Sequence, residues 1–315
     1  MFIGMGKFLR FQPIFLPKIW GGNHIEKLKS WDEEVPQNCG EVWLVSDVFS
    51  HETYEKGSNQ TLSQLIDLDV NHAYFSPSFR KKYQKFPLLI KIIDAEEDLS
   101  IQVHPNDEIA QKKHGCLGKT ESWIILDHEK DAFLYLGWKK EMTRQEIQTA
   151  SQGGWIDSKI NQIQVQKNDL FFIPAGLVHS IGKGIVLGEI QQSSDVTYRL
   201  FDFNRKDAQG NLRDLHLEES LEAVSLDSYT TVKNNCDSIE SQYFSYSLHK
   251  LNDNETMEIS NNQLFWLIEG DEVEICSNEI TERVTKHEPV WLPNSFEHVR
   301  VKCNGIAHFL TIQIP

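Results

Sequence analysis

Three short stretches of the sequence carry side chains that could bind a metal ion: QVH at 102–104, KTE at 119–121 and PAGLVH at 174–179. Alternate side chains of a β-strand point to the same face, so Gln102 and His104 share a face, as do Lys119 and Glu121. His179 follows a Pro-Ala-Gly turn that would lead a strand back toward the others. Two imidazoles and a carboxylate are a ligand set of catalytic zinc sites, and the carbonyl of Gln102 could add a weaker fourth ligand.

Each of these residues, taken alone, has a simpler interpretation. A single histidine is more often hydrogen-bonded or exposed than metal-bound, Gln102 could be a solvated strand residue, and Glu121 could pair with Lys119. The combination of the three stretches is what indicates a metal centre.

The elements that must position these residues are mostly short strands. Apolar or alternating runs, separated by turn residues, occupy residues 41–48, 87–93, 99–104, 121–127, 132–138, 169–175 and 184–192. This pattern predicts a mainly β fold with antiparallel sheets. Helix signals occur at 61–69, 105–115, 142–154 and 212–224. The third helix carries a capping box at Thr143 and Glu146.

A chain of 315 residues favours two domains. The polar, turn-rich segment 225–241 marks the boundary, which predicts one domain over 1–230 and a smaller β-domain over 231–315. The segments IPAGLVH (173–179) and LPNSFEH (292–298) share a proline and a histidine at the same spacing, which two β-barrels of related design would explain.

Composition restricts the possible partners. A net charge of −15 repels nucleic acid and anionic lipid, so an anionic substrate would need a local cluster of cations. The apolar N-terminus is interrupted by charged residues and proline, which argues against a signal peptide or membrane span. Five scattered cysteines without a CxxC pair favour a reducing cytoplasm.

The order of the candidate ligands resembles that of cupins, whose small β-barrels take metal ligands from a His-x-His-like strand, a downstream Glu and a P-x-G-x-x-H turn. More narrowly, the chain resembles the class I mannose-6-phosphate isomerases of the short bacterial type. The matching segments are PKIWGG (17–22), GEVWLVSD (40–47), LLIKIIDAEEDLSIQVHPND (88–107), GKTESW (118–123), FFIPAGLVHSIGKGI (171–185) and EIQQSSDVTYRLFDFNR (189–205).

The resemblance implies two cupin-like jelly-roll β-barrel domains, with helical insertions in the N-terminal one. It implies one zinc ion per chain, held by Gln102, His104, Glu121 and His179. It also implies that Ser100, Lys91 and Lys119 lie near the phosphate or the reacting atoms of the sugar, and that Arg199, Lys119 and Asp195 are catalytic. The C-terminal domain keeps His298 but has no upstream Gln-x-His or Lys-x-Glu, so we expect it to lack metal ligands.

The implied reaction interconverts mannose 6-phosphate and fructose 6-phosphate by moving a proton between C1 and C2 through an enediolate. A metal can act as a Lewis acid, and Arg199 or Lys119 can stabilise charge developing on oxygen. A water on the metal, Asp195, Lys119 and a histidine all remain candidates for the general base.

Other functions remain open at this stage. The first is a non-enzymatic zinc cupin that binds or senses a sugar phosphate, although a sensor need not keep both KTE and SDVTYR. The others are an iron cupin oxygenase and an isomerase of another sugar phosphate. We expect a monomer or a homodimer, and ligands of this type also accept cobalt, manganese or iron.

Overall fold

A computed structural model describes residues 7–28, 31–207, 209–230, 237–277 and 280–315. Within these ranges the chain is mainly β, as the sequence predicts. The strands of the first part are β1 (Leu9–Arg10), β2 (Ile14–Gly22), β3 (Cys39–Val45), β4 (Asp47–Val48), β5 (His51–Glu52), β6 (Leu88–Ala95), β7 (Ile101–Val103), β8 (Glu121–His128), β9 (Phe133–Trp138), β10 (Ile160–Gln164), β11 (Leu170–Ile173), β12 (His179–Ile181), β13 (Ile185–Gln192) and β14 (Tyr198–Phe201). Those of the second part are β15 (Ser238–Glu240), β16 (Ser245–Leu251), β17 (Thr256–Ile259), β18 (Gln263–Glu269), β19 (Glu272–Ser277), β20 (Ile280–Thr285), β21 (Val290–Leu292), β22 (Val299–Cys303) and β23 (Ala307–Gln313).

Helices lie in the first part of the described chain, and the four predicted ones are present with shorter bounds. They are α1 (His24–Leu28), α2 (Leu62–Leu68), α3 (Pro77–Lys82), α4 (Asp107–His114), α5 (Arg144–Gln152) and α6 (Leu217–Ala223), with a 3₁₀ turn at Ile156–Lys159. The capping box of α5 forms as predicted, because Thr143 accepts from the Glu146 N–H and the Glu146 side chain accepts from the Thr143 N–H. None of these helices has both the length and the apolar composition that a bilayer-spanning helix needs.

Two sheets of the first part pack face to face and enclose the candidate site. One has the order β11-β8-β13-β6-β2-β3, and the other has the order β10-β9-β12-β7-β14. Apolar side chains from both sheets meet at one end of the space between them, where Ile93 and Trp123 pack with Leu134 and Ile181. The other end is polar and forms the cleft described below.

The second part forms two further antiparallel sheets. Their orders are β1-β21-β18-β23-β16-β15 and β17-β22-β19-β20. Strand β1 comes from the start of the chain yet pairs with β21, with Leu9 opposite Trp291. Apolar side chains such as Phe265, Val301 and Phe309 fill the space between the two sheets.

The second part supports the back of the strands that carry the candidate site. A Cβ atom on Gly188 of β13 would lie 2.5 Å from the Trp266 ring, so only glycine allows this close approach. On the neighbouring strand, the hydroxyls of Ser122 and Tyr246 are 2.7 Å apart. The predicted boundary segment 225–241 includes residues 231–236, which lie outside the described residues, so the division into 1–230 and 231–315 stays a prediction.

Candidate metal centre and cleft

A cleft of about 430 Å³ opens between the two sheets of the first part. This volume lies within the range of sites for small molecules. One wall comes from β2, β3, β6 and β13, and the opposite wall comes from β7 and β14. The lining includes six of the predicted site residues: Lys91, Ser100, Gln102, Lys119, Asp195 and Arg199.

The three predicted histidine and glutamate ligands converge beside this cleft, in contact with Gln102 and Lys119 of its lining. His104, Glu121 and His179 each offer one atom within 4.8 Å of the others, and all three are fully buried. His179 starts β12 directly opposite Gln102 of β7, so the pairing of these strands joins two stretches that are 77 residues apart. Glu121 starts β8 in the facing sheet. Among the described residues, these three form the group of histidine, cysteine or carboxylate side chains whose atoms lie close enough together to hold a metal ion.

Both imidazoles present a lone pair to the same point. The Nδ1 atom of His104 donates to the carbonyl of Val196 at 2.9 Å, and the Nδ1 atom of His179 donates to the carbonyl of Leu177 at 2.8 Å. A neutral imidazole that donates through Nδ1 carries its lone pair on Nε2. The two Nε2 atoms lie only 3.2 Å apart. A carbonyl partner on the second ring nitrogen is the arrangement that orients metal-binding histidines.

The spacing of these atoms fits a tetrahedral metal ion. Glu121 Oε1 lies 3.4 Å from His179 Nε2, and Glu121 Oε2 lies 3.5 Å from His104 Nε2. Metal–ligand bonds of about 2.0–2.1 Å in a tetrahedral site place the ligand atoms roughly 3.3–3.4 Å apart. Glu121 Oε1 is also buried without a hydrogen-bond partner. These nitrogen and oxygen atoms carry lone pairs, and a cation between them would stabilise such close spacing. The residues present therefore fit a divalent cation.

Gln102 completes the group on the same strand face as His104. Its Nε2 lies 3.5 Å from His104 Nε2 and 3.4 Å from His179 Nε2, while its Oε1 accepts from the Ser100 hydroxyl at 3.1 Å. A half-turn of the amide exchanges its two ends, so that the oxygen faces the metal position and the Ser100 hydroxyl accepts from the amide. The Ser100 hydroxyl can therefore orient the amide of Gln102 in either position.

Burial and charge set the protonation of the ligands. Burial lowers the pKa of His179 to about 4 and that of His104 well below its usual value, with Lys119 as a second cause for His104. Both imidazoles are therefore neutral, as metal ligands must be. Burial and the negative charge of Glu189 raise the pKa of Glu121 to about 7. A bound cation would favour its carboxylate form instead.

A row of alternating charges leads from the mouth of the cleft to the metal position. We call this row the charge ladder; it consists of Lys18, Glu41, Lys91, Glu189, Lys119 and Glu121. Successive N–O distances along it are 3.4, 3.9, 3.0, 3.6 and 2.5 Å. Because each of these buried charges has neighbours of opposite sign, Glu41, Lys91 and Glu189 stay ionised despite burial.

The pKa values of the ladder follow from these contacts. Burial acts to raise the pKa of Glu41 and of Glu189, but the neighbouring lysines outweigh it: the pKa of Glu41 falls to about 2, and that of Glu189 is also lowered. Burial acts to lower the pKa of Lys91, but Glu189 and Glu41 raise it above its usual value.

Glu41 and Glu189 were missed in the sequence analysis. Glu189 lies directly opposite Lys91 in the sheet, and Glu41 lies on the strand that pairs with the other edge of β6. A signal existed, because each is a charged residue inside an otherwise apolar strand. The pairing register, which the sequence does not reveal, is what brings them to Lys91.

Arg199 lies on β14 directly opposite Gln102 of β7, and its side chain lines the cleft. Its guanidinium is half-buried, its Nη1 donates to the carbonyl of Asp214, and its Nε is buried without a hydrogen-bond partner. Arg213 lies nearby but is held in a two-bond ion pair with Asp202. Asp195 lies on the turn between β13 and β14 and makes no hydrogen bond or ion pair to another described residue.

The tryptophans that could line a sugar pocket divide into two groups. Trp20 and Trp43 line the cleft. Trp123 lies behind it, where its Nε1 donates to Glu189 at 2.8 Å and its ring packs edge-on against His179. Trp123 therefore supports two site residues from behind, and Trp43 similarly donates to Glu41 at 2.8 Å.

The paired antiparallel sheets and the buried His-Glu-His set define a cupin-like protein with a metal-binding cleft. Comparisons with known proteins identify the family. Residues 8–135 match the family model for the catalytic domain of type I phosphomannose isomerase. The chain therefore belongs to the type I phosphomannose isomerase family, as the sequence resemblance predicts.

Individual relatives agree with this assignment. The chain is 40% identical over 222 residues to the mannose-6-phosphate isomerase ManA of Bacillus subtilis, covering 70% of this chain and 69% of that protein. It is 37% identical to the mannose-6-phosphate isomerase of Streptococcus mutans, covering 68% of each. The crystal structure of a Bacillus subtilis mannose 6-phosphate isomerase superposes with a TM-score of 0.82 at 25% identity, over 98% of this chain and all of that one.

Proposed function

We propose that this protein is a zinc-dependent isomerase that interconverts D-mannose 6-phosphate and D-fructose 6-phosphate. The observation that carries the proposal is the convergence of His104, Glu121 and His179 beside a cleft that Arg199 lines. Membership of the isomerase family supports the substrate pair. The proposed pathway for the proton runs through an enediolate.

Zinc is the proposed metal, at one ion per chain. Two neutral imidazoles and a carboxylate are a frequent ligand set of catalytic zinc, and Gln102 supplies an amide oxygen as the fourth protein ligand. When bound, such an ion supplies a Lewis acid that polarises the oxygen atoms of the substrate. Cobalt, manganese and iron also accept nitrogen and oxygen ligands, so the proposal of zinc depends on a metal analysis.

We assign the phosphate group to Arg199. The lysines of the charge ladder each contact a carboxylate, and Arg213 is paired with Asp202. Arg199 donates only to a neutral carbonyl and keeps a buried N–H without a partner. A dianionic phosphate gives that guanidinium the charge-assisted acceptor it lacks. Ser100 and Lys91 then face the sugar, between the phosphate and the metal position.

Geometry reduces the choice of proton carriers. Both imidazoles use Nδ1 on backbone carbonyls and direct Nε2 at the metal position, so neither is available to move the substrate proton. Of the predicted residues, Asp195 and Lys119 remain. We assign proton transfer to Asp195, because its carboxylate lies in the cleft and is not held by a lysine. We assign stabilisation of the developing negative charge on oxygen to Lys119, which lies 3.0 Å from His104 Nε2.

Two wider expectations accompany this function. We propose a catalytic domain over residues 1–230 and a smaller domain over 231–315 without metal ligands, as monomer or homodimer. We also propose a cytoplasmic location, which is supported by the free cysteines Cys39, Cys116, Cys276 and Cys303.

The test is turnover of mannose 6-phosphate by the purified protein, with the appearance of fructose 6-phosphate followed by a coupled assay. We expect turnover that a chelator abolishes and that one equivalent of zinc restores. The sugar phosphate should also bind to the chelated protein through Arg199, and an Arg199→Met variant should lose this binding.

Binding of mannose 6-phosphate without turnover, in the presence of zinc, would contradict the proposal and support a sugar-phosphate sensor. Turnover that persists at full rate after the metal has been removed would contradict the assigned role of the metal.

A further inference from the structure

One buried amide oxygen in the cleft has no hydrogen-bond donor. Gln191 lies on β13, is fully buried and contributes to the lining of the cleft. Its Oε1 atom is enclosed and has no hydrogen-bond partner. A buried amide oxygen without a donor is costly, so its partner is expected to come from outside the chain.

The orientation of this amide is fixed by its nitrogen. Gln191 Nε2 donates to the carbonyl of Gln192 at 2.7 Å and to the carbonyl of Ser194 at 2.6 Å. Both amide hydrogens are therefore used. A half-turn of the amide would place its oxygen against the two carbonyl oxygens. Such an arrangement is unfavourable, because all three oxygens are hydrogen-bond acceptors. The free group at this position is consequently an acceptor and not a donor.

Strand pairing places Gln191 beside one of the proposed metal ligands. Across the sheet it is directly opposite Glu121 on one side and Leu89 on the other. Its amide nitrogen holds the turn that carries Asp195 and leads to Arg199. Gln191 is thus next to a metal ligand and bonded to the turn that leads to Arg199, so in the proposed function it faces the part of the sugar between the metal and the phosphate.

We infer that Gln191 is a specificity residue of the proposed isomerase, and that its amide oxygen accepts a hydrogen bond from the hydroxyl on C3 or C4 of the hexose phosphate. This inference rests on the proposed function. Hydroxyl recognition by a buried acceptor discriminates strongly, because a substrate without the hydroxyl leaves the acceptor unpaired.

The neighbouring glutamine provides a matched control. Gln192 is also buried, but its Oε1 accepts from the Thr120 N–H at 2.9 Å and its Nε2 donates to Asp107 at 2.9 Å. Gln192 points to the other face of the sheet and does not line the cleft. A change at Gln192 therefore perturbs the same strand without removing the proposed contact.

The experiment compares kcat/KM for mannose 6-phosphate with kcat/KM for its 3-deoxy and 4-deoxy analogues, in the wild type, Gln191→Met and Gln192→Met. For one of the analogues we expect a loss of about tenfold or more in the wild type and in Gln192→Met. In Gln191→Met the same analogue should react about as well as mannose 6-phosphate. A ratio within one protein is insensitive to a general loss of activity.

An equal loss in Gln191→Met and in the wild type would overturn the inference, as would a wild type that does not distinguish either analogue. If Gln191→Met does not fold, competition binding to the wild type decides: one analogue should bind about tenfold more weakly, and equal binding of both would overturn the inference. A wild type that does not turn over mannose 6-phosphate would instead overturn the proposed function, and this inference with it.

Discussion

The turn before His179 and the turn before His298 have related sequences but leave their histidines in different environments. His179 is the first residue of β12, is 1% exposed and donates Nδ1 to a backbone carbonyl. His298 precedes β22, has a φ of 51° and carries a side chain that is 82% exposed. Its Nδ1 lies 3.1 Å from the exposed carboxylate of Glu258.

The strands that pair next to the two turns differ in polarity. His179 pairs with Gln102, in a strand whose inner face carries amide, imidazole and hydroxyl groups. The strand after His298 pairs with apolar positions, with Val299 opposite Ile259 and Val301 opposite Ile275. Those side chains belong to a closed apolar core.

A shared turn sequence is therefore not enough to make a site. The first part of the chain leaves polar and charged side chains between its sheets, so a cleft remains open there. The second part fills the equivalent space with apolar side chains and packs against the back of β8 and β13. In the proposed function, the first part carries the chemistry, and the second part supports the strands that position it.

The largest expected effect comes from replacing the two histidines in parallel. His179→Ala removes one of the proposed metal ligands, so activity should fall by at least roughly a thousandfold and metal content should fall with it. His298→Ala removes an exposed side chain and should change neither. The measurements are kcat/KM and metal content by mass spectrometry. Equal losses of kcat/KM and of metal content in the two variants would contradict the claim that His179 is a metal ligand and His298 is not.

A smaller effect is expected from neutralising one carboxylate of the charge ladder. Glu189→Gln keeps the shape but leaves Lys91 and Lys119 without their shared carboxylate, so kcat/KM should fall on the order of a hundredfold. The matched change in the second part is Glu258→Gln, at the exposed partner of His298, which should leave kcat/KM unchanged. Full activity of Glu189→Gln would show that the ladder has no part in the reaction.

The smallest effect concerns the pH dependence of stability in the second part. Burial lowers the pKa of His287 to about 3, with Lys286 as a second cause, and neither ring nitrogen has a hydrogen-bond partner. The imidazole is neutral in the folded chain but gains a proton at about pH 6.5 in the unfolded chain. The neutral form of His287 therefore contributes fully to the free energy of unfolding above pH 6.5. As the pH falls from 6.5 toward 3, the free energy of unfolding decreases by about 1.4 kcal/mol per pH unit.

The test of this effect is His287→Asn, because asparagine tolerates the φ of 63° at this position. Denaturant unfolding between pH 7 and pH 4 should show a shallower pH dependence in the variant than in the wild type. Identical slopes would mean that His287 is not buried in its neutral form.

The sequence was sufficient to predict that His104, Glu121 and His179 lie together, but not what surrounds them. The alternation of residues within QVH and the turn before His179 follow from local rules, so their strands could be predicted. Helix α3 was not predicted, because its six residues are too few to show a helical periodicity; its start is set by Ser76 and Pro77. The ladder residues Glu41 and Glu189 depend on strand register across three strands, and register is set by long-range pairing that no local pattern encodes.

The origin of β1 is a second example of this limit. Leu9 and Arg10 pair with a strand about 280 residues later. Neither residue carries a signal for that partner, because two residues of strand have no distinctive periodicity. Tertiary packing decides such pairings.

The most direct test of the metal centre is a crystal structure of the purified protein with anomalous diffraction measured at the zinc absorption edge. We expect one strong peak per chain, within bonding distance of His104 Nε2, His179 Nε2 and the Glu121 carboxylate. Zinc-loaded crystals with no peak at that position, or with the peak beside His298 instead, would contradict this account.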